Sequence, residues 1–212
     1  MFPDRADRFL PGYKKTMNKY SLDDLKKFIP EGADKGKTLL DLGCGVRKRP
    51  GHIGVDTARL EGVDIVCDIE KGLPFEDNII DGVWSNFLFE HVSDTVFLFK
   101  ELYRVCANGA IVEFRVPYYQ SVTQYKDPTH KAAIMPEMMR YFTVEKWYGS
   151  DYGIGTNFEL LYVKYDYLPP FDLLAGRKLF FLWPVTYPAL LFARRFLWNV
   201  VHSIRLRLRV IK

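Results

Sequence analysis

Cysteine is scarce in this 212-residue chain, and neither sign of charge is in large excess. The three cysteines, Cys44, Cys67 and Cys106, are widely spaced and include no CxxC pair. This spacing argues against a disulfide framework or a zinc site and favours reduced thiols in a cytoplasmic protein. The formal net charge of +4 is modest, so charge alone gives little reason to expect nucleic acid as a partner.

Long apolar runs are missing too. The first twenty residues contain scattered charges and no apolar segment, so the sequence shows no signal peptide. The longest uncharged apolar stretch, 179–193, is shorter than the roughly 18 residues of a membrane span, and Pro184 and Pro188 interrupt it. What is present is 48% hydrophobic and 16% aromatic residues, enough to bury one core. The length favours a single domain.

Short apolar runs that end in a carboxylate or a glycine turn dominate the first half of the chain. A helix follows them, with Ser93 or Asp94 as its cap and Asn108-Gly109 as its C-terminal stop. Strands interleaved with helices predict an α/β fold. The predicted strands cover residues 37–42, 52–56, 63–68, 81–86, 110–116, 158–167 and 204–211.

The ends of the first three strands carry the chemistry of a ligand site. In a parallel α/β sheet, ligands bind outside the carboxyl ends of the strands. Gly43 and Gly45 follow the first strand and let the backbone approach a ligand closely. Asp56 ends the second strand and has the lone pairs to accept from both hydroxyls of a ribose. Asp68 ends the third and could accept from an exocyclic amine such as that of adenine.

Four segments, taken in order, resemble class I S-adenosylmethionine-dependent methyltransferases of the type 11-like group. They are LLDLGCG at 39–45, DIEKGLPFEDN at 68–78, DGVWSN at 81–86 with EHV at 90–92, and ELYRV at 101–105 with NG at 108–109. The resemblance spans about 37–117. It implies a Rossmann-like, three-layer α/β/α domain with a seven-stranded, mostly parallel sheet and an antiparallel last strand. It also implies an enzyme that uses S-adenosylmethionine and releases S-adenosylhomocysteine.

The resemblance also implies roles for individual residues around that cofactor. Asp41, Gly43, Cys44 and Gly45 would surround its amino-acid portion, Asp56 its ribose, Asp68 and Ile69 its adenine, and Ser85 and Asn86 its methionine end.

Two features depart from the family pattern. Arg47 stands where a third glycine is usual, and Asp56 follows Asp41 so soon that 46–51 must form a shortened helix or a bare turn. Lys48 in that turn could contact the cofactor carboxylate, but a solvated loop charge is the favoured interpretation.

Two histidines are candidate bases, should the acceptor be a hydroxyl or an amine. His91 follows the fourth strand, and His130 lies in the DPTH segment at 127–130. Structural alternatives remain: His91 could only orient its turn, and the segment before His130 could only cap a helix. Some relatives bind a divalent metal through Glu-x-x-Glu-His; here the first carboxylate is missing, so no metal site is predicted, although Glu90, His91 and His130 could converge.

The aromatic and basic stretch 179–198 has several interpretations. It could be a lid over the acceptor site, a peripheral membrane contact, a homodimer surface, or plain core packing, which carries the most weight. The first three would suit an apolar or lipid-linked acceptor.

The chain is accordingly interpreted as one methyltransferase domain acting on a small-molecule or lipid-linked acceptor. The alternatives are a cofactor-binding but inactive partner or regulator, and an NAD-dependent oxidoreductase. Within 1–212, the expected parts are an N-terminal helical segment (1–36), a cofactor-binding core (37–117), substrate-side loops and a helix (118–157), and an apolar insertion between the last two strands (168–203).

Overall fold

A seven-stranded sheet forms the centre of the protein. The computed structural model describes residues 19–29, 36–143, 153–169, 171 and 183–212. The strand order is β3-β2-β1-β4-β5-β7-β6. The strands are β1 Leu39–Leu42, β2 Ile53–Asp56, β3 Ile65–Val66, β4 Ile80–Asn86, β5 Cys106–Pro117, β6 Phe158–Tyr167 and β7 Val201–Val210.

The directions of the strands confirm the predicted topology. Strands β1 to β5 pair in parallel, whereas β7 runs antiparallel to both of its neighbours, β5 and β6. The strand order reverses between β1 and β4. In open α/β sheets, the crevice at such a reversal is where ligands bind.

The first two helices begin at residues whose side chains cap them. Helix α1 (Leu22–Lys26) starts with a capping box in which Ser21 and Asp24 bond each other's backbone. Helix α2 (Thr95–Val105) is capped by Asp94, whose carboxylate accepts from the Phe97 amide. Two further helices follow: α3 (Val122–Tyr125) and α4 (Trp183–Phe196), the latter running through Pro188.

The predicted C-terminal stop at Asn108-Gly109 is wrong. Helix α2 ends at Val105, and β5 begins at once with Cys106. Gly109 has a φ of 82° and lies where the pairing of β4 with β5 shifts register. A glycine in that conformation fits a bulge as well as a helix end.

The core lies between the sheet and α2. Leu98, Phe99 and Leu102 of α2 are fully buried. The Phe99 ring meets Phe114 of β5 edge-on, with 5.9 Å between ring centroids, and stacks on Phe142 at 4.3 Å. These contacts fix α2 on the face of the sheet that carries the alternate apolar residues of β5.

The opposite face is covered differently over β1 and β2. Both the β1–β2 and the β2–β3 connections are turns without a helix. Residues 46–51 therefore form the bare turn, which was one of the two forms predicted for them. Lys48 covers this face: its ammonium pairs with Asp64 at 2.9 Å, and its stem occupies the space a Cβ on Gly54 would need. Lys48 is therefore not a solvated loop charge. Over β1 and β2, a loop therefore takes the place of the helical third layer that was expected.

Parts of three predicted segments lie outside the described residues. These are 1–18 and 30–35 of the N-terminal segment, 144–152 of the substrate-side region, and 170 and 172–182 of the insertion.

Candidate functional site

The glycine turn after β1 folds over the tip of β2. The Gly43 and Cys44 amides both donate to the Val55 carbonyl, at 2.8 and 3.3 Å. The Gly45 amide donates to Oδ2 of Asp56 at 2.9 Å, and Oδ1 accepts from the Ala58 amide at 3.0 Å. Oδ1 also accepts from the Thr57 hydroxyl at 3.5 Å. Asp56 therefore faces the glycine turn, and its Oδ2 keeps a further lone pair for a ligand.

Gly43 is confined by both its backbone and its neighbour. Its φ is 70°, and an added Cβ would lie 3.0 Å from the side chain of Leu88. Gly45 also has a positive φ, of 51°, but a Cβ there would meet nothing within 4 Å. Leu88 thus packs the turn after β4 directly against the turn after β1.

Asp41 of β1 anchors the loop that connects β1 to β2. Its carboxylate is buried and accepts from the Arg49 amide at 2.7 Å. Burial raises the pKa of Asp41, and the Arg49 hydrogen bond opposes that rise only in part. The bond fixes the far end of the loop over the sheet.

A cleft of about 460 Å³ opens at the reversal point between β1 and β4. Four predicted cofactor residues line it, namely Asp41, Gly43, Cys44 and Asn86. Its remaining lining residues are Arg47, Lys48, Arg49, Pro50, Trp84, Arg115 and Arg205.

Sequence reasoning missed the aromatic floor of this cleft, Trp84, and three of its cations, Arg49, Arg115 and Arg205. The guanidinium of Arg49 lies 4.3 Å from the Trp84 ring centroid, and that of Arg205 lies 5.3 Å from it. Trp84 could have been found, because it shares a strand face with Asn86, two residues on. Arg115 and Arg205 come from β5 and β7 and are brought in only by strand pairing.

Asp68 and Ile69 lie beyond the tip of β3. Asp68 caps the short 3-10 turn Ile69–Lys71 by accepting from the Glu70 amide, and it pairs with Lys71 at 2.8 Å. The neighbouring Cys67 amide donates to the Asp56 carbonyl, which ties this turn to the end of β2. Ile69 is buried.

Ser85 is placed differently from the prediction. Its hydroxyl donates to the Leu42 carbonyl at 2.9 Å, and the residue is 1% exposed. The structure thus puts Ser85 inside the sheet, while its neighbour Asn86 lines the cleft.

The two candidate histidines lie together, 4.7 Å apart between ring centroids. Nδ1 of His91 faces the carbonyl and hydroxyl of Thr129, and Nδ1 of His130 faces the Gln124 carbonyl at 2.8 Å. Asp127 accepts from the Thr129 amide and hydroxyl. It therefore shapes the loop that presents His130.

Glu90 lies beside both rings and is fully buried. Burial raises its pKa to about 7. Neither carboxylate oxygen has a hydrogen-bond partner in the described part of the chain, which is unusual for a buried polar group.

The three cysteines are free and buried. No helix among the described residues is long and apolar enough to cross a membrane.

Comparison with known families identifies residues 48–114 as a match to the methyltransferase domain. The match begins just after the glycine turn and covers β2 to β5.

Two curated relatives are plant enzymes. Cycloartenol-C-24-methyltransferase 1 of Oryza sativa subsp. japonica is 30% identical over 127 residues, which cover 47% of this chain and 36% of the relative. 24-methylenesterol C-methyltransferase 2 of Arabidopsis thaliana is 30% identical over 100 residues, which cover 36% of this chain and 28% of the relative. The chain thus spans about a third of the length of these relatives.

Solved structures share the fold across most of the chain. A S-adenosylmethionine-dependent methyltransferase from Archaeoglobus fulgidus is 18% identical and covers 89% of this chain and 92% of its own, with a TM-score of 0.54. The [4+2]-cyclase SpnF is 15% identical and covers 90% and 79%, with a TM-score of 0.51. At such identities the likeness establishes the fold, and the reaction has to be argued from the site.

Proposed function

We propose that the chain is a class I S-adenosylmethionine-dependent methyltransferase, which transfers a methyl group to a small-molecule or lipid-linked acceptor by in-line displacement. The observation that carries this proposal is the convergence of Asp41, Gly43 and Asn86 on one cleft at the strand reversal, beside the turn that Asp56 faces.

The proposed contacts follow from the chemistry of each residue. Asp56 would hold the ribose with the remaining lone pair on its Oδ2, and Asp68 with the backbone of Ile69 would hold the adenine. Asn86 and the glycine turn would contact the amino-acid portion. Arg49, whose guanidinium lies in the cleft over Trp84, adds a positive charge suited to the cofactor carboxylate.

The cofactor supplies an activated methyl group on a sulfonium, so the chain has no electrophile to generate. What the chain must do is orient the acceptor and exclude water, which can contribute roughly 7–11 kcal/mol. His91 and His130 each turn Nδ1 towards a carbonyl, so Nε2 of each ring has the free lone pair. Such a lone pair can accept a proton or bind a metal. The buried carboxylate of Glu90, which lies beside both rings, decides between these two roles.

An apolar acceptor is favoured by the surface around the end of α4. Phe192, Phe196, Leu197 and Trp198 are all exposed, and we call this group the α4 patch. The curated relatives are named as C-methyltransferases of cycloartenol and of a 24-methylenesterol, which are apolar molecules. An acceptor dissolved in or linked to a lipid would bring the protein to a membrane surface.

Asp56→Asn tests cofactor binding. We expect S-adenosylhomocysteine to raise the melting temperature of the wild type, with NAD producing no shift. Loss of the charged acceptor should weaken S-adenosylhomocysteine binding by about 10–100-fold, the equivalent of roughly 1.5–3 kcal/mol. Calorimetric titration measures this change. Asp23→Asn, at an exposed aspartate of α1, is the control and should bind as the wild type does.

The outcomes separate the competing functions. No thermal shift at saturating S-adenosylhomocysteine would remove the methyltransferase proposal, and a shift with NAD alone would favour an oxidoreductase. Binding without transfer of labelled methyl to any fraction of a cell extract would favour the inactive partner protein.

A further inference from the structure

We infer that Glu90, His91 and His130 form a binding site for one divalent transition-metal ion. One ligand atom from each of these residues lies within 4.8 Å of the other two. The three residues come from two segments far apart in the chain, the turn after β4 and the loop after α3. The fold thus brings together three residues whose convergence the sequence left open, although no metal site was predicted there.

Glu90 provides the strongest argument. Its carboxylate is fully buried, and neither oxygen has a hydrogen-bond partner among the described residues. An unpaired buried carboxylate costs several kcal/mol, so such groups are normally paired or bound to a metal. His130 is its nearest charged candidate, but Nε2 lies 4.0 Å from Oε1, too far for a hydrogen bond.

A shared ion would draw these two atoms together by about half an ångström. Zinc lies about 2.0–2.2 Å from imidazole nitrogen and from carboxylate oxygen, so the two ligand atoms of a tetrahedral ion are roughly 3.3–3.5 Å apart, compared with the 4.0 Å between Nε2 and Oε1. The same ion would neutralise the Glu90 charge.

The two imidazoles are oriented as metal ligands usually are. Nδ1 of His91 faces Thr129, and Nδ1 of His130 faces the Gln124 carbonyl. Metal-bound histidines typically donate their other ring N–H to a carbonyl or carboxylate, which fixes the tautomer and leaves the second nitrogen for the metal. A nitrogen so used cannot accept a proton, and metal binding would therefore exclude a general-base role for these rings.

The two segments are tied together before any ion binds. The Lys131 and Ala132 amides both donate to the Glu90 carbonyl, at 2.7 and 3.0 Å. The Lys131 ammonium also reaches Glu70, 3.1 Å away. These bonds hold the His130 loop against the turn that carries Glu90, so the ligands need little rearrangement to bind.

The ligand set indicates the class of metal. Two imidazoles and one carboxylate suit Zn²⁺, Co²⁺, Ni²⁺ or Fe²⁺, whereas Mg²⁺ and Ca²⁺ prefer oxygen ligands alone. Three protein ligands leave a coordination position free. Asp127, half exposed and 3.9 Å from Nε2 of His130, is the nearest side chain that could approach it.

Cobalt provides the test, because its visible absorption reports direct coordination. Tag-free protein is stripped with a chelator and titrated with Co²⁺, and the bound cobalt is then displaced with Zn²⁺. We expect one equivalent to bind. Glu90→Gln and His130→Gln should each weaken binding by more than the roughly 10–100-fold that loss of an outer-shell partner costs. His202→Gln, a histidine outside the cluster, is the control and should bind as the wild type does.

Melting temperatures give a second readout that does not need catalysis. Zn²⁺ should raise the melting temperature of the wild type and of His202→Gln, but not that of Glu90→Gln, whose fold is checked by circular dichroism. The inference is overturned if no cobalt band appears, or if Glu90→Gln binds Co²⁺ like the wild type. Measuring S-adenosylhomocysteine binding on the stripped samples separates failure of this site from failure of the proposed methyl transfer.

Discussion

Ser85 and Asn86 are neighbours whose side chains have different surroundings. The Ser85 hydroxyl is used inside the sheet, on the Leu42 carbonyl, whereas Asn86 is exposed and lines the cleft. Ser85→Ala should therefore lower the free energy of unfolding by about 1 kcal/mol and leave S-adenosylhomocysteine affinity unchanged. Asn86→Ala should leave the free energy of unfolding unchanged and lower the affinity for S-adenosylhomocysteine. Urea denaturation and calorimetry on both variants measure these effects; equal losses of affinity would make Ser85 a ligand contact after all.

The glycines of the turn after β1 allow a matched comparison. Alanine at either position must adopt a positive φ, which costs roughly 1–2 kcal/mol. Only Gly43→Ala also pushes a Cβ against Leu88, 3.0 Å away. We expect Gly43→Ala to destabilise the protein more than Gly45→Ala and to weaken cofactor binding further, because Leu88 must move. Thermal denaturation of both variants, with and without S-adenosylhomocysteine, tests the order.

At the scale of elements, Arg104 joins α2 to the segment before β4. Its guanidinium donates to both oxygens of Glu101 and to the carbonyls of Leu73 and Phe75. Glu101 also accepts from the Leu73 amide. Arg104→Lys keeps the charge but loses the planar fork, so we expect it to cost about 2 kcal/mol in urea denaturation. Arg209→Lys, in an exposed pair with Glu159, should cost less than about 1 kcal/mol.

The same network predicts a dependence of stability on pH. Burial alone would raise the pKa of Glu101, but the hydrogen bonds from Arg104 and Leu73 outweigh it and lower the pKa on balance. A carboxyl whose pKa is lower in the folded protein stabilises it above its unfolded pKa of about 4.3. This stabilisation is lost as pH falls through the folded value. Arg104→Lys should therefore flatten the acid side of the stability profile; an unchanged slope would exclude Glu101 as its source.

Local patterns predicted the elements better than the contacts between them. The strands that end in Asp56 and Asn86 and the Asp94 cap follow from neighbouring residues, and the structure has all three. Gly109 was wrongly predicted to end the helix, because a glycine with a positive φ fits a bulge and a helix end equally well. Arg205 was out of reach for another reason: it joins the cleft only because β7 pairs with β5, and no short-range pattern specifies that pairing.

On the scale of the whole molecule, the α4 patch brings together four of the large apolar side chains that are exposed among the described residues. Phe192, Phe196 and Trp198 are 59%, 65% and 57% exposed, whereas Leu190 and Ala193 are buried, so the core packing favoured from sequence holds for one face of α4 only. Tyr125 extends the surface, because its ring lies 5.4 Å from that of Trp198. Exposed apolar groups of this kind mark contacts with proteins or membranes. The exposed cations Lys126 and Arg195 are next to them in the sequence and would favour anionic lipid.

Membrane binding through this surface can be tested by flotation with vesicles. We expect the wild type to float with phosphatidylcholine–phosphatidylserine vesicles and to bind less well at high salt, because screening weakens the contribution of the cations. The double variant Phe196→Ser/Trp198→Ser should bind at least about 10-fold more weakly, since that factor requires only about 1.4 kcal/mol and each buried side chain supplies roughly that much or more. Leu160→Ser/Tyr162→Ser, which removes exposed apolar residues of β6, should float like the wild type.

The oligomeric state in solution shows whether a membrane or a second copy of the chain covers the α4 patch. A membrane contact predicts that the wild type is a monomer in solution by light scattering and that Phe196→Ser/Trp198→Ser changes flotation alone. A subunit interface predicts a dimer that the same double variant dissociates, with no flotation by either protein, because a partner copy would already cover the aromatic rings. A monomer that does not bind vesicles would contradict both the membrane contact and the subunit interface. The acceptor would then have to reach the cleft from water, which would remove the lipid-linked class from the proposed function and keep the small-molecule one.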